Sequence, residues 1–237
     1  MAIQCNASNR HLYCTGTNFR SAGLPYSISV WINAVWSSGN TYSFVGLYDG
    51  VPETGTPTVG LQIGARGANI LSIWTYGGSV IVNSPATMGA YDNTWILVTY
   101  TFDGTTSRIY RNDTLLATSV VAPVNENAFT QVYINGYPPT GTTNETTAYQ
   151  VDWYGYYGRA LTQPEIQSIY LAFGARHGIT YGLLASYEFD ELAQGSTVVS
   201  CADVSGNGNT LLNTGAGTAL TYNYASTIAN SNIRPVQ

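Results

Sequence analysis

Residues 94–121 narrow the choice of fold more than any other stretch, because strand-like runs alternate there with turn pairs. The segment reads TWILVTYTFDGTTSRIYRNDTLLATSVV, with Asp103-Gly104 and Asn112-Asp113 between runs rich in β-branched and aromatic residues. Asn, Asp and Gly tolerate the positive φ that tight hairpins require. Similar runs recur along the chain at intervals of roughly 8–12 residues, a rhythm typical of sandwiches and barrels. The sequence therefore predicts an all-β fold built from antiparallel strands.

One segment, at about residues 162–173, follows a helical pattern instead. Thr162 and Glu165 have the spacing of a capping box, and Pro164 falls in the first turn, where its missing N–H costs little. Apolar residues then recur at i, i+3, i+4 and i+7, and they are Ile166, Ile169, Tyr170 and Phe173. We expect Gly174 to follow the helix as its C-cap. We also expect the helix to lie across one edge of the sandwich as a structural plug.

The composition limits the classes of partner. Only 9% of the residues are charged, against roughly 25% in a typical soluble domain, and all eight basic residues are Arg. The net charge is −5 and no basic stripe is visible, so a nucleic acid is not expected as a partner. A surface of neutral polar groups and tyrosines suits packing against protein neighbours, and it also suits sugar binding by stacking and hydrogen bonding.

The length and the two ends of the chain bear on its organisation. A β-rich chain of 237 residues folds as one unit by default, so 1–237 is expected to be a single domain. Residues 220–237 are polar and are expected to form a C-terminal arm or to stay disordered. The start lacks the pattern of a secretion signal, and no apolar run approaches the roughly 20 residues of a membrane span. We therefore expect synthesis in a host cytoplasm and unpaired thiols at Cys5, Cys14 and Cys201.

The stretch DVSGNGN at Asp203–Asn209 has three interpretations, which are a phosphate cradle, a calcium loop and a plain turn. A phosphate cradle of the G-x-G-x-x-G type requires a third glycine, and Leu211 stands in that place. No Lys follows the glycines, as it would in a P-loop. The phosphate interpretation is therefore excluded, and the other two remain.

The calcium interpretation rests on oxygen ligands at alternate positions, where a glycine permits the bend. The ligands that this spacing assigns are Asp203, Ser205 and Asn207. Thr214 occupies the place of the glutamate that completes such a motif, so Asp190 or Glu191 would have to add a ligand from a neighbouring strand. The alternative is a metal-free turn held by Asx-type hydrogen bonds. A structural Ca²⁺ is therefore the one candidate cofactor, and it stays open at this point.

Aromatic side chains offer a candidate sugar-binding platform, because a ring can stack on a sugar face. The candidate residues are Trp36, Trp74, Trp153, Tyr154 and Tyr156. The competing interpretation is core packing, which accounts for most aromatic residues in a sandwich. Trp31 and Trp95 lie inside strong strand patterns and are expected to belong to the core.

Together, several segments resemble one known family. They are SISVWI, WILVTYTFDGTTSRIYRNDTLLA, VYINGY, VDWYGYYGRALTQPEIQSIY and YEFDE followed by DVSGNGN. The series resembles the concanavalin A-like, laminin-G-type jelly rolls from about Ala2 to Gly217. The resemblance implies a two-sheet antiparallel jelly-roll sandwich with one short α-helix, often with a structural calcium ion.

The sequence departs from this family in two ways. The family usually has Asn before RAL, and Gly158 stands there in this chain. In addition, the FDE and SGNGN segments normally precede the first long strands, whereas here they follow the helix, so the order looks circularly permuted. The permuted order is similar to that of jelly rolls carried on tailed-phage virions. Arg159 is expected to pair with a carboxylate near the helix start.

A catalytic set is the last alternative, because the resemblance includes glucanases. Enzymes of this shape resemble one another in an E-x-D-x-E strand whose acidic residues share one face. The nearest match is EFDEL, in which Glu188 and Asp190 would share a face, Glu191 would point the other way and Leu192 takes the third acidic position. His11 and His177 have no nucleophile motif beside them. We therefore expect no enzymatic activity.

These expectations combine into a ranked set of functions. The first is a virion structural protein, either a capsid decoration or cement protein or a fibre-type jelly roll, that also adheres to host-surface glycans. Its expected partners are capsid or tail proteins and further copies of itself, as a homo-oligomer such as a trimer at a symmetry axis. The alternative is a free-standing carbohydrate-binding lectin module, and a glucanase ranks last.

Overall fold

The computed structural model covers most of the chain as two stacked sheets and a helix. It describes residues 2–5, 11–15, 25–36, 42–48, 60–67, 69–75, 78–121, 129–134, 149–173, 178–191, 193, 195–214 and 220–223. The described residues form the strands β1 (Ala2–Cys5), β2 (His11–Thr15), β3 (Tyr26–Ala34), β4 (Tyr42–Tyr48), β5 (Gly60–Arg66), β6 (Ile70–Thr75), β7 (Val80–Asn83), β8 (Thr94–Phe102), β9 (Ser107–Arg111), β10 (Thr114–Ser119), β11 (Gln131–Ile134), β12 (Tyr149–Tyr157), β13 (Leu183–Tyr187), β14 (Ser200–Cys201), β15 (Leu211–Thr214) and β16 (Thr221–Asn223). The helix α1 spans Gln163–Leu171.

The strands divide equally between two sheets. Sheet A has the order β10-β9-β8-β3-β12-β1-β16, with β13 also paired to β12. Sheet B has the order β14-β15-β2-β11-β4-β5-β6-β7. Neighbouring strands run antiparallel throughout both sheets as far as the structure describes them. The predicted all-β, two-sheet antiparallel sandwich with one helix is therefore confirmed.

The turn pairs of the 94–121 segment form hairpins as predicted. Gly104 and Asn112 both adopt positive φ, at 99° and 57°. Asp103 closes the first turn, because its Oδ1 accepts the backbone N–H of Thr105 at 3.0 Å and of Thr106 at 2.8 Å. These local choices fix the register in which β8, β9 and β10 pair.

The main core lies between the two sheets and is built from alternate residues of their strands. Because successive side chains of a strand point to opposite faces, one set from each strand reaches this core. From the three central strands of sheet A the set includes Ile28, Val30 and Ile32 of β3, Ile96, Val98 and Tyr100 of β8, and Val151, Tyr154 and Tyr156 of β12. The opposite face of these strands is buried as well, and α1 covers it.

The helix packs on the outer face of sheet A rather than across an edge of the sandwich. We call the buried residues at this contact, from the sheet and from the helix itself, the helix-side cluster, and they are Trp31, Leu97, Tyr110, Trp153, Tyr157, Leu161, Ile166 and Ile169. The expected edge position is therefore wrong, because the outer faces of β3, β8 and β12 carry large apolar side chains that need a cover. Trp31 is buried in this cluster, whereas Trp95 is half-buried at its margin and not in the inter-sheet core.

The N-terminal end of α1 matches the sequence prediction. The backbone N–H of Thr162 donates to Glu165 Oε2 at 2.8 Å, which is one half of the predicted capping box. The helix gives way at Ala172, and Phe173 adopts a positive φ of 55°. The predicted C-cap Gly174 lies outside the described residues.

Within the described residues, no helix has the length and hydrophobicity of a membrane-crossing segment.

The first and the last described strands are neighbours in sheet A. β1 pairs with β12 on one side and with β16 on the other, so that Ala2 stands opposite Asn223. Leu220, just before β16, is fully buried. Residues 221–223 of the predicted arm therefore belong to the sheet, because they supply the backbone partners of β1, and residues 224–237 lie outside the described part of the chain.

Removing an apolar side chain at the helix–sheet contact tests this packing. We expect Ile169→Ala to lower the free energy of unfolding by about 2–5 kcal/mol, because Ile169 is fully buried and leaves a cavity. Gln167→Ala, on the exposed face of the same helix, is the matched control and should change stability by less than about 0.5 kcal/mol. Equal effects of the two substitutions in urea unfolding would contradict the helix position.

Candidate functional site

The DVSGNGN loop is organised by the carboxylate of Asp203, which accepts three backbone N–H groups. Its Oδ1 accepts from Ser186 at 3.0 Å and from Ser205 at 2.9 Å, and its Oδ2 accepts from Asn209 at 2.9 Å. Ser186 belongs to β13 of sheet A, whereas Asn209 leads into β15 of sheet B. One carboxylate therefore connects the two sheets, and we call residues 203–209 the Asp203 clasp.

The two asparagines of the clasp attach it to β13 a second time. Asn207 Nδ2 donates to the carbonyl oxygens of Leu183 and Leu184 at 3.1 and 3.2 Å, and Asn209 Nδ2 donates to Leu184 O at 2.8 Å. The hydroxyl of Tyr187 donates to the carbonyl of Asn209 at 2.6 Å. The intervening glycines at 206 and 208 have φ of 88° and 76°, which explains why the motif needs them.

The donor set of the clasp does not fit a calcium site. Both oxygens of Asp203 already accept N–H groups, and the Leu183 and Leu184 carbonyls already accept the asparagine amides. Of the two further candidates, Glu191 Oε1 accepts the N–H of Ala202 at 2.9 Å, and Asp190 is exposed. Within the described residues, no group of three or more His, Cys, Asp or Glu is placed to hold a metal. The Asx-type hydrogen bonds of the alternative interpretation are present, and in them Asp203, Ser205 and Asn207 act as turn residues, while calcium occupancy stays a prediction to be tested.

The five aromatic residues proposed as a sugar platform are all buried, with 5% exposure or less. Trp36 packs edge-on against Phe44 in the inter-sheet core, at 5.2 Å between ring centroids. Tyr154 stacks on Tyr187 in the same core. Tyr156 is fully buried there as well. Because none of these rings presents a face to solvent, they are removed from the candidate glycan-binding residues.

The two remaining tryptophans are buried outside the inter-sheet core. Trp153 lies beneath α1, and its Nε1–H donates to Ser186 Oγ at 3.1 Å. Trp74 points away from sheet A, since its neighbour Ile73 faces the inter-sheet core. In the register of sheet B it stands beside Gln62, in a row that continues through Gly46 to Tyr133. This row is buried too, so Trp74 is not an open platform.

The acidic residues after β13 do not form a catalytic strand face. β13 ends at Tyr187, so Glu188 and Asp190 lie beyond it and not on alternating strand positions. Phe189 between them adopts a φ of 54°, which breaks the extended backbone that the alternation requires. The expectation that Glu188 and Asp190 share a strand face is therefore wrong. Leu192 lies outside the described residues.

The three cysteines are free thiols in the interior of the described structure. All of them are buried, and no disulfide joins them in the described structure. Burial raises the pKa of the Cys14 thiol to about 11, so that it stays protonated and unreactive at neutral pH. Cys5, Cys14 and Cys201 are therefore core residues and not a redox or metal site.

The predicted pairing of Arg159 near the helix start is confirmed, with Glu165 as its partner. The guanidinium makes a two-pronged contact, Nη1 to Oε2 at 2.9 Å and Nη2 to Oε1 at 2.7 Å. These hydrogen bonds hold the pKa of Glu165 down at about 2. The remaining nitrogen, Nε, donates to the carbonyl of Tyr181 at 2.8 Å. Sequence reasoning missed Tyr181 as a candidate binding residue. Gly182 after it indicates a turn, and a ring in a turn is less often buried than a ring in a strand.

Comparisons with known proteins agree with this architecture. A family model described as the concanavalin A-like lectin/glucanases superfamily matches residues 6–167. No protein with a curated description matches the chain. One similar solved structure is described as a "putative carbohydrate binding protein" from Bacteroides ovatus, with 16% identity over 93% of this chain and 59% of that chain and a TM-score of 0.63.

Two further similar solved structures are described as binding domains. The binding domain of Paraclostridial Mosquitocidal Protein 1 has 16% identity over 73% of this chain and 43% of that chain, with a TM-score of 0.55. The Botulinum neurotoxin serotype D binding domain has 14% identity over 73% of this chain and 42% of that chain, with a TM-score of 0.56. The chain thus spans about three fifths or less of these structures, and at such identities the likeness concerns the fold.

Neutralising the central carboxylate tests the Asp203 clasp. We expect Asp203→Asn to lower the free energy of unfolding by about 2–3 kcal/mol, because the amide cannot accept all three N–H groups. The exposed Asp190→Asn is the matched control and should have little effect. For the wild type and for both variants, the unfolding temperature should be the same in excess calcium and in chelator. A calcium-dependent rise that Asp203→Asn abolishes would contradict the metal-free clasp.

Proposed function

The chain belongs to the concanavalin A-like lectin/glucanase superfamily, and from that membership we propose that it is a non-enzymatic glycan-binding jelly roll. The similar solved structures are described as binding proteins and not as enzymes, which supports the proposal. Low charge supports it as well, because a neutral polar surface binds sugar hydroxyls with little competing ionic hydration.

The geometry after β13 carries the non-enzymatic part of the proposal. A retaining glucanase needs two carboxyl groups about 5–5.5 Å apart on a shared face, one as acid and one as nucleophile. Here the strand ends before Glu188, and the positive φ of Phe189 turns the chain between the candidate acids. In the described part of the chain, the acidic segment therefore does not present a pair of carboxylates on one strand face.

We further propose that this jelly roll is carried on a virus particle, as a capsid decoration or cement protein or as a fibre-type subunit. The permuted strand order supports this proposal, because it is similar to that of jelly rolls on tailed-phage virions. The sparsely charged surface supports it too, since protein contacts with capsid or tail partners and among copies of the chain would desolvate few charges. The second candidate, a free-standing lectin module, has the same binding activity without the particle.

A glycan array with the full chain tests the binding proposal. We expect signals above background for at least one class of glycan, and we expect no release of reducing ends when the same glycans are incubated with the protein. Binding without hydrolysis supports the proposal. An array without any signal would contradict glycan binding, and hydrolysis that Glu188→Gln abolishes would contradict the non-enzymatic assignment.

Detection in purified particles tests the virion proposal separately. We expect an antibody against the chain to label intact particles from the culture that produces it, with a copy number that follows the particle symmetry. A protein that sediments only in the free fraction, at every stage of purification, would contradict the virion location and favour the free-standing lectin.

A further inference from the structure

One aromatic side chain on the described surface is open to solvent. Of the aromatic rings that the structure describes, Tyr181 alone is exposed, at 82%. It lies in the turn before β13, on the side of sheet A where α1 begins. An aromatic ring is costly to leave in water, and one held in place at the surface provides a preformed contact for a ligand with an apolar face.

The backbone under Tyr181 is fixed by a turn. The N–H of Leu183 donates to the carbonyl of Thr180 at 3.0 Å, which closes the turn around Tyr181 and Gly182. Gly182 has a φ of 75°, and a Cβ there would come within 3.1 Å of the Arg159 side chain. The position thus favours glycine twice, for its dihedral angle and for the close approach of Arg159.

Arg159 holds the ring from one side. Its guanidinium carbon lies 5.3 Å from the Tyr181 ring centroid, within the range of a cation–π contact, and its Nε donates to the Tyr181 carbonyl. The two-pronged contact with Glu165 fixes the guanidinium plane in turn. The ring is therefore supported on the Arg159 side, and its high exposure leaves the opposite side to solvent.

The polar side chains beside this ring have hydrogen-bond donors and acceptors that the described contacts do not use. Arg159 has five N–H donors, and its three described hydrogen bonds leave two. Glu165 Oε1 accepts only from Arg159 among the described contacts, so it retains a lone pair. Both side chains are partly open to solvent. A donor and an acceptor thus lie close together next to an exposed ring.

We propose that Tyr181, Arg159 and Glu165 form the glycan contact of this chain, an inference that rests on the proposed glycan-binding function. A pyranose stacks its apolar C–H face on the open side of Tyr181. Neighbouring hydroxyl groups of the sugar accept an N–H from Arg159 and donate to Glu165. The ligand is a neutral hexopyranose and not a sialylated or sulfated sugar, because Glu165 already neutralises the guanidinium.

The test compares variants of the full chain for affinity to neutral and sialylated glycans, by array and by calorimetry on the best array ligand. Tyr181→Ala should weaken binding of neutral glycans by about tenfold or more, whereas Tyr181→Phe should keep most of the affinity because the ring remains. Leu171→Ala is the matched control, since Leu171 is a 65% exposed apolar side chain on the neighbouring helix, and it should not alter binding. All three variants should unfold at the wild-type temperature, because both positions are exposed.

Each outcome either supports or overturns the assignment. Binding by the wild type that Tyr181→Ala leaves unchanged overturns this site but leaves glycan binding in place. Equal losses in Tyr181→Ala and Tyr181→Phe overturn stacking as the mode of contact. Preference for sialylated over neutral glycans overturns the ligand class. If the wild type binds no glycan, both the proposed function and this site are rejected.

Discussion

Burial of both faces of β3, β8 and β12 is the constraint on which the rest of the structure depends. Sheet B covers one face of these strands and α1 covers the other, so both faces carry buried side chains. The polar ones among them are paired, as Ser29 and Thr99 are by a hydrogen bond of 2.9 Å between their hydroxyls. Gly155 illustrates how tight the helix side is, because a Cβ there would come within 2.6 Å of the Trp153 ring. The helix is therefore a structural layer of the sandwich, and its N-terminal end places Arg159 and Glu165 at the surface.

The closure of the sandwich is compatible with the circularly permuted order that the sequence resemblance implies. β1 fills the gap between β12 and β16, which brings the first and the last described strands side by side. Adjacent ends are the condition under which a circular permutation costs little. The Asp203 clasp then joins β13 of sheet A to the segment before β15 of sheet B. The loop that resembles a calcium motif thus connects the two sheets, because backbone N–H groups donate hydrogen bonds to the Asp203 carboxylate.

The sequence was most informative where the chemistry is local. The turn at Asp103-Gly104, the capping box of Thr162 and Glu165, and the Arg159 pair all depend on residues a few positions apart, and all of them are found as expected. The position of α1 depends on which face of the sheet the other sheet leaves uncovered, and local sequence patterns do not predict that face. The failure at Glu188 has a similar cause, because alternation predicts a strand face only while the backbone stays extended, and Phe189 ends it.

The same distinction applies to the candidate site. Sequence reasoning selected aromatic residues from or beside strands, and aromatic rings in strands usually pack in the core. The structure buries all five of them. The exposed ring lies in a turn instead, at Tyr181.

A crystal structure of the chain with a neutral oligosaccharide bound tests this account most directly. We predict a pyranose against the open face of Tyr181, with hydroxyl groups within hydrogen-bond distance of Arg159 and Glu165. A sugar bound elsewhere on the protein, with Tyr181 free of ligand, would contradict it.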